Sequence, residues 1–324
     1  MSRRWGLLVL LTALAAAAGL FLGAEPLPAG AVWRGLVDPA APGALIVRDL
    51  RLPRVLLGFV IGGSLAVSGA SLQALLRNPL ADPYLLGLSG GAGLGAVGAI
   101  ALRLPVAWAV PAAAFAGALA ALGLVYALGR SASGRLDPRV LLLAGVVTSS
   151  FAAAVMSALM VLSDAAELRN AFLWLLGGLG RAAWGPLGLF LLWAPLPLAV
   201  LFLSSRSLDL LALGEETAGY LGAEVERVKR RVVLSAALLT AAAVAVCGMI
   251  GFVGLVVPHL VRRLLGPLHA RLLPVSFVLG GALLVGADAL ARVVARPVEL
   301  PVGVVTALVG VPVFAFLLRR EAGR

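Results

Sequence analysis

The sequence predicts an all-α, polytopic membrane protein with about ten transmembrane helices and both termini in the cytoplasm. Of its 324 residues, 61% are hydrophobic and only 13% are charged, and the mean hydropathy is +1.06. A water-soluble domain of this size needs a far more polar exterior. Apolar stretches of about 18 or more residues recur along the chain, and each is long enough to cross a hydrocarbon core about 30 Å thick as a helix.

These stretches place the predicted spans along the whole chain. The first follows Arg3 and Arg4 and imitates a signal peptide, but it is as long as a full span, so we expect it to be retained. The eighth is too short to span as a straight helix. Residues 163–185, which include Gly177 and Gly178, predict a broken or re-entrant segment, because protein or a water-filled cavity must satisfy irregular backbone at membrane depth. The predicted spans are about 5–24, 55–76, 85–102, 106–129, 139–162, 186–204, 232–250, 255–265, 275–294 and 303–319.

The charge of the chain indicates contact with lipid rather than with nucleic acid. The 26 basic residues outnumber the 15 acidic ones, which gives a net charge of +11. Most of the basic residues fall in short loops that are cytoplasmic when the N-terminus is inside, as the positive-inside rule requires. Arg34, Arg48, Arg51 and Arg54 cluster on the outer side against this rule. Their clustering suggests that they bind something there.

The composition offers no catalytic residue and no metal site. The one cysteine, Cys247, lies in an apolar stretch, and the two histidines, His259 and His269, have no carboxylates placed nearby as further ligands. Inside the predicted spans, the only nearby pair of opposite charges is Asp288 with Arg292. No series of buried acids is available to carry protons, which disfavours a proton-coupled carrier.

No soluble domain interrupts the sequence, so residues 1–324 are predicted to form one transmembrane domain that binds no cofactor of its own. Any nucleotide chemistry must then belong to a partner. The cytoplasmic segment about 206–230 holds an apolar turn, then Gly214, and then Glu215 and Glu216. Acidic residues favour a helix start, and a glycine suits the left-handed position at a helix end. This segment therefore predicts two short helices joined at a bend.

Helix breakers mark two further regions near the ends of predicted spans. Asn78 and Pro79 end the second span, where Asn78 either caps the helix or contributes to a gate at the cytoplasmic mouth. Gly251, Gly254 and Pro258 interrupt the region between the seventh and eighth spans. Broken helices often line transport sites, and tight packing explains these residues equally well. Pathway or gate and plain packing both stay open as interpretations.

Several motifs occur in the order found in the FecCD-type permeases, which include import subunits for cobalamin, ferric siderophores and haem. The similarity covers about residues 45–320. The chain therefore resembles this family. The motifs are Arg51-Leu-Pro-Arg54, Arg77-Asn-Pro-Leu-Ala-Asp-Pro, Leu213-Gly-Glu-Glu-Thr-Ala-Gly, Gly248-Met-Ile-Gly-Phe-Val-Gly and Glu299-Leu-Pro-Val-Gly.

The resemblance implies a homodimer of ten-helix subunits in the inner (cytoplasmic) membrane, with the transport pathway at the dimer interface. It implies two ATP-binding subunits, which hold ATP and Mg²⁺, and an extracytoplasmic substrate-binding protein that delivers the cargo. This chain would then be a transport subunit and not an enzyme. The expected cargo is an iron complex, with ferric siderophore as the first choice and cobalamin or haem as alternatives.

The resemblance also assigns roles to individual residues. Arginine forks suit carboxylates, and family members use arginines at the outer edge to dock the binding protein. The docking residues would be Arg51, Arg54 and Arg292, with Arg296 as the alternative to Arg292. The two-helix segment would couple to the ATPase subunit through Leu213, Gly214, Glu215, Glu216, Gly219 and Gly222.

Two other functions compete with this one. An ion-coupled secondary transporter would share the fold class but would import its cargo without an ATPase partner. An intramembrane serine protease is suggested by Gly87-Leu88-Ser89-Gly90, which fits a nucleophile pattern, with His259 as the base. Such a short pattern arises easily in a chain rich in Gly and Ser, and Ser89 lies within the permease resemblance.

Overall fold

The protein is all-helical, which confirms the predicted class. The computed structural model describes residues 2–130 and 136–322, and within these ranges it has no strand apart from one isolated bridge between Arg130 and Leu136. The α-helices in these ranges are α1 (Ser2–Phe21), α2 (Ala29–Val37), α3 (Leu52–Leu75), α4 (Leu88–Ala101), α5 (Ala109–Gly129), α6 (Pro138–Val161), α7 (Ala165–Leu175), α8 (Trp184–Trp193), α9 (Pro195–Leu203), α10 (Ser205–Ala212), α11 (Glu215–Tyr220), α12 (Val225–Cys247), α13 (Val253–Leu265), α14 (His269–Val293) and α15 (Val302–Ala322).

Within the described ranges, five helices are long and apolar enough to cross a membrane: α5, α6, α12, α14, and α3 together with the π-helical turn Ile46–Arg51 that precedes it. The pair α8 and α9 passes the same test, but it bends by 41°. Pro195 begins α9, and a proline has no N–H with which to continue the hydrogen bonds of α8. Shorter apolar stretches fill α1, α4 and α15. The chain is therefore a multi-pass membrane protein, while the count of ten spans and the cytoplasmic termini stay predictions.

The central helix is α3, which is buried along most of its length against α14, α12 and α13. A methyl group on Gly62 would stand 2.3 Å from the carbonyl oxygen of Gly280, and one on Gly280 would stand 2.4 Å from that of Gly62. In the same way, a methyl group on Gly91 of α4 would stand 2.3 Å from the carbonyl oxygen of Gly117 on α5. The backbones of these helix pairs therefore touch, as small residues allow in membranes.

One side of α6 is an apolar face that the described chain leaves uncovered. Leu143, Val147 and Phe151 follow one another at intervals of one helical turn, and all three side chains are exposed. A continuous apolar stripe on a membrane helix has to meet lipid or another protein surface.

Candidate functional site

The N-terminal end of α3 is joined to α14 by charges that are largely buried. Arg54 places Nη2 2.8 Å from Asp288 Oδ1 and Nε 3.0 Å from Oδ2, so the contact is bidentate. Its remaining nitrogen, Nη1, lies 2.8 Å from Glu299 Oε2, in the link between α14 and α15. Arg292 Nε lies 3.1 Å from Asp288 Oδ2. One buried carboxylate therefore balances two arginines.

Three arginines donate hydrogen bonds to the backbone at the end of α1. Arg51 Nη1 lies 2.8 Å from the carbonyl oxygen of Leu20, and Arg292 Nη2 lies 2.9 Å from that of Gly19. Arg296 Nη2 reaches a carbonyl of the link after α1 at 2.6 Å. The last carbonyl groups of a helix lack partners within the helix and carry partial negative charge, so cations stabilise this end. These arginines hold α1 against α3 and α14.

The arginines predicted to dock a partner therefore lie together, but they differ in accessibility. Arg51 is 4% exposed and Arg292 is 2% exposed. Because they are buried, Arg51 and Arg292 do not offer an open docking surface: a partner's carboxylate needs free N–H groups to bind. Arg54 is half-buried within its ion pairs. Exposed side chains in the same outer segments include Arg34, Arg181 and Arg296. Docking itself stays a prediction.

A cavity of about 630 Å³ opens beside Arg54. It lies between the link from α7 to α8, the end of α12 and the link from α14 to α15, and its lining is mostly apolar. Its lining includes Trp108, Trp174, Gly178, Cys247, Glu299 and Pro301.

Three backbone segments beside this cavity hydrogen-bond to one another. Gly178 donates its N–H to the carbonyl oxygen of Cys247 at 2.7 Å, and Gly303 donates to that of Gly177 at 3.3 Å. Gly177 has a φ of +68°, and a side chain there would also stand 2.2 Å from the carbonyl oxygen of Met249. The break predicted within 163–185 is therefore present after α7, and protein rather than lipid satisfies its backbone.

The link from α12 to α13 is held by Tyr84, a residue that the sequence did not single out. The Tyr84 hydroxyl donates to the carbonyl oxygen of Ile250 and accepts the N–H of the same residue, both at 3.0 Å. Burial raises the pKa of Tyr84 well above its usual value, so the hydroxyl keeps its proton. Asp82 accepts the N–H of Tyr84 at 2.9 Å, and burial raises the pKa of Asp82 to about 6.

Gln73 hydrogen-bonds to two of the predicted gate residues, accepting the N–H of Asn78 on its backbone carbonyl and donating to Gly254. Gln73 Nε2 lies 3.3 Å from the carbonyl oxygens of Ala81 and Gly254, and Arg262 Nη2 donates to Gln73 Oε1 at 3.1 Å. Asn78 Oδ1 accepts the backbone N–H of Leu80 at 2.9 Å, which is an Asx turn in the link after α3 rather than a helix cap.

Among the other candidates at this break, Pro258 is buried inside α13, and its neighbour His259 packs against the ring of Phe314 with centroids 6.3 Å apart. Pro79 is exposed and Gly251 is half-buried. A Cβ on Gly254 would stand 2.8 Å from the carbonyl oxygen of Leu65, so close packing explains this glycine. A gate role for the set stays a prediction.

The segment from α10 to α11 forms the two short helices that the sequence predicts. They meet at Gly214, whose φ of +116° favours glycine, and Gly222, two residues beyond the end of α11, has a φ of +85°. The side chains of Leu213 and Tyr220 are 65% and 92% exposed, and Leu221 is exposed beside them. This apolar tip projects from the subunit.

An acidic cleft of about 1000 Å³ lies beside the tip. Four glutamates and two arginines line it, and Glu216 and Gly219 are exposed on the α11 side. The charged residues that line the cleft are Glu215, Glu216, Glu224, Glu226, Arg77 and Arg227.

Helix α10 is attached to α14 through a contact between Asp209 and His269, a histidine that was weighed in the sequence only as a metal ligand. Asp209 Oδ1 accepts the backbone N–H of His269 at 2.9 Å and lies 2.6 Å from its Nδ1. The feature of the sequence that could have indicated this contact is Asp209, an acidic residue within an apolar turn. The two-helix segment is therefore anchored to the first turn of a spanning helix.

Comparisons with known proteins agree on one family. The profile described as the FecCD transport family matches residues 8–320. The cobalamin import system permease protein BtuC of Halobacterium salinarum is 47% identical over 275 residues, covering 85% of this chain and 73% of that protein. The Fe(3+) dicitrate transport system permease protein FecD of Escherichia coli is 42% identical over 310 residues, covering 93% of each. A solved structure described as an inward-facing metal-chelate type ABC transporter has a TM-score of 0.88 at 30% identity and covers 99% of this chain and 100% of that one.

Proposed function

This chain belongs to the FecCD transport family, and on that premise we propose that it carries an iron complex into the cytoplasm as one half of a homodimeric, binding-protein-dependent ABC importer. It is a permease of an ABC importer, a transport subunit rather than an enzyme, like its relatives. That assignment leaves no role for Ser89 and His259 as a protease pair. ATP hydrolysis takes place in two separate ATP-binding subunits.

The two-helix segment is the observation that carries the proposal. It exposes Leu213 and Tyr220 at a tip beside an acidic cleft. Exposed apolar side chains next to a charged cleft are typical of a protein interface. The ATPase subunit binds this tip, and its movement reaches α14 through Asp209 and His269.

The substrate-binding protein docks on the opposite face, at the cluster around Arg54. Glu299 already occupies one nitrogen of Arg54, and its side chain is partly exposed. A carboxylate of the binding protein replaces Glu299 there, while Arg51 and Arg292 support the site from behind by holding α1. The cavity beside Arg54 then lies directly under the docked protein.

The cargo is a metal complex, with a ferric siderophore first and cobalamin or haem as alternatives. The names of the relatives support this class, since they include cobalamin and Fe(3+) dicitrate permeases. The apolar stripe of α6 supports a dimer interface, because a second subunit would cover it. The membrane is the inner membrane, where ATP is available on one side.

Uptake into proteoliposomes tests the proposal. The chain is reconstituted with its ATPase subunit and binding protein, and ferric siderophore, cobalamin and haem are offered in turn. We expect one of them to accumulate only with ATP and only with the binding protein. Uptake that persists without the ATPase subunit and stops when the ion gradient is dissipated would instead establish a secondary transporter.

A further inference from the structure

Lys229 is buried where three segments of the cytoplasmic side meet. It is the only lysine in the sequence, lies in the second turn of α12 and is 2% exposed. Its Nζ lies 2.8 Å from the carbonyl oxygen of Leu136, 2.9 Å from Glu226 Oε1 and 2.5 Å from Glu215 Oε2. An ammonium group has three N–H donors, so these three acceptors use all of them.

The three acceptors belong to different elements. Glu215 begins α11, Glu226 lies in the first turn of α12, and Leu136 lies two residues before α6. Glu226 completes the junction, because its Oε2 accepts the N–H of Leu136 at 2.9 Å. The start of α12 therefore binds both backbone groups of Leu136, the N–H through Glu226 and the carbonyl through Lys229.

This junction is stiff for physical reasons. A buried ammonium without its partners would be strongly destabilising, so its contacts persist when neighbouring segments move. Its acceptors also belong to three different elements, and the compact ammonium group meets such separate acceptors more readily than the planar fork of an arginine. The contact between Asp209 and His269 differs, because it connects α10 to α14 and does not include α11.

We propose that Lys229 is a positioning residue that transmits displacement of α11 to α12 and α6 together. The inference rests on the proposed function, because α11 must receive the ATPase subunit for its displacement to matter. Two spanning helices then respond to one cytoplasmic contact, and α6 is the helix that carries the uncovered apolar stripe.

The test measures cargo uptake and ATP hydrolysis on the same proteoliposomes, which contain the permease, the ATPase subunit and the binding protein. Lys229→Met keeps an unbranched side chain and removes the charge. We expect the ATPase subunit still to copurify and ATP still to be hydrolysed, while cargo carried per ATP falls about fivefold or more. An unchanged ratio of cargo to ATP overturns the inference.

Two further variants separate coupling from folding. Arg231→Met is the matched control, because it removes an exposed positive charge from the same helix, and its ratio should equal that of the wild type. Glu215→Gln weakens the branch to α11 and keeps the inference testable if Lys229→Met does not fold; because Glu215 also lines the cleft beside the tip, copurification of the ATPase subunit is measured with it. The ratio should fall while copurification is retained, and a wild-type ratio in Glu215→Gln overturns the inference. If the wild-type chain neither copurifies with an ATPase subunit nor imports with ATP, the proposed function itself fails.

Discussion

Arg54 and Asp288 form a bidentate ion pair across α3 and α14, although 234 positions separate them in the sequence. The same two helices touch through Gly62 and Gly280 two turns further along α3. Charge at the N-terminal end of α3 and backbone contact in its middle therefore fix α3 and α14 as one unit. Since Arg292 shares the carboxylate, Asp288 is the residue on which this outer cluster depends.

Asp288→Ala should destabilise the protein more than any exposed charge substitution. The change leaves the buried guanidinium of Arg292 without its countercharge and Arg54 with Glu299 alone, and the expected loss is about 3–5 kcal/mol. The measurement is thermal unfolding of the purified protein in detergent. Arg103→Met is the control, because Arg103 pairs with Asp164 and Glu167 at the surface, and its melting temperature should stay close to that of the wild type. Equal losses in both variants would contradict the assignment.

Arg51→Met tests whether Arg51 stabilises its own chain or binds the substrate-binding protein. We expect a loss of about 1–3 kcal/mol, because the carbonyl groups at the end of α1 lose a buried donor. Hydrogen exchange should increase at the end of α1. Arg34→Met is the control, since Arg34 is exposed and donates only within α2. Unchanged exchange together with weaker affinity for the binding protein would assign Arg51 to docking.

The sequence was sufficient for features that depend on neighbouring residues. Hydropathy predicts the membrane class, and Gly214 followed by Glu215 predicts the two short helices, because the breaker and the acidic helix start stand side by side. The break after α7 follows from Gly177 for the same reason. In each case the physical cause lies within a few residues.

The hydrogen-bond partners of Arg51 and Arg292 could not be predicted from the sequence. Arg51 binds a carbonyl 31 positions away, and Arg292 binds one 273 positions away. A guanidinium group looks the same in a sequence whether it faces a partner's carboxylate or the end of its own first helix. The contacts of Lys229 with Leu136 and of Tyr84 with Ile250 were missed for the same reason, because only the fold brings these backbone groups near.

Gly62→Ala should separate α3 from α14. The added methyl group would stand 2.3 Å from the carbonyl oxygen of Gly280, which belongs to a rigid helix backbone. The expected cost is about 1–3 kcal/mol for overpacking, measured by thermal unfolding. Gly286→Ala on α14 is the matched control, because nothing lies within 4 Å of the new methyl group. A Gly62→Ala variant as stable as this control would disprove direct backbone contact.

Asp82 should make stability depend on pH. It lies in the link between α3 and α4, outside both helices, and burial raises its pKa from 3.8 to about 6. The folded state therefore disfavours the ionised form of Asp82. The contribution of Asp82 to the free energy of unfolding is full below about pH 4 and is lost as the pH rises through about 6. Melting temperatures should fall over this window.

Asp82→Asn should remove that fall, since an amide oxygen still accepts the N–H of Tyr84 but does not ionise. Asp137→Asn is the control, because Asp137 caps α6 in the same way at an exposed position. If Asp82→Asn loses stability over the same pH window as the wild type, another group is responsible.

Gly214→Val should uncouple ATP hydrolysis from transport. Gly214 has φ +116° and ψ 151°, a conformation open almost only to glycine, so a β-branched residue there costs about 1–3 kcal/mol of local strain. The strain is relieved by turning α11 away from α10, which moves Tyr220 and the acidic cleft relative to each other. We expect ATP hydrolysis to continue in the assembled complex while cargo uptake falls. Gly123→Val on the exposed face of α5 is the control, because its new side chain meets open space. Normal coupling in Gly214→Val would show that the bend between α10 and α11 is not what the ATPase subunit recognises.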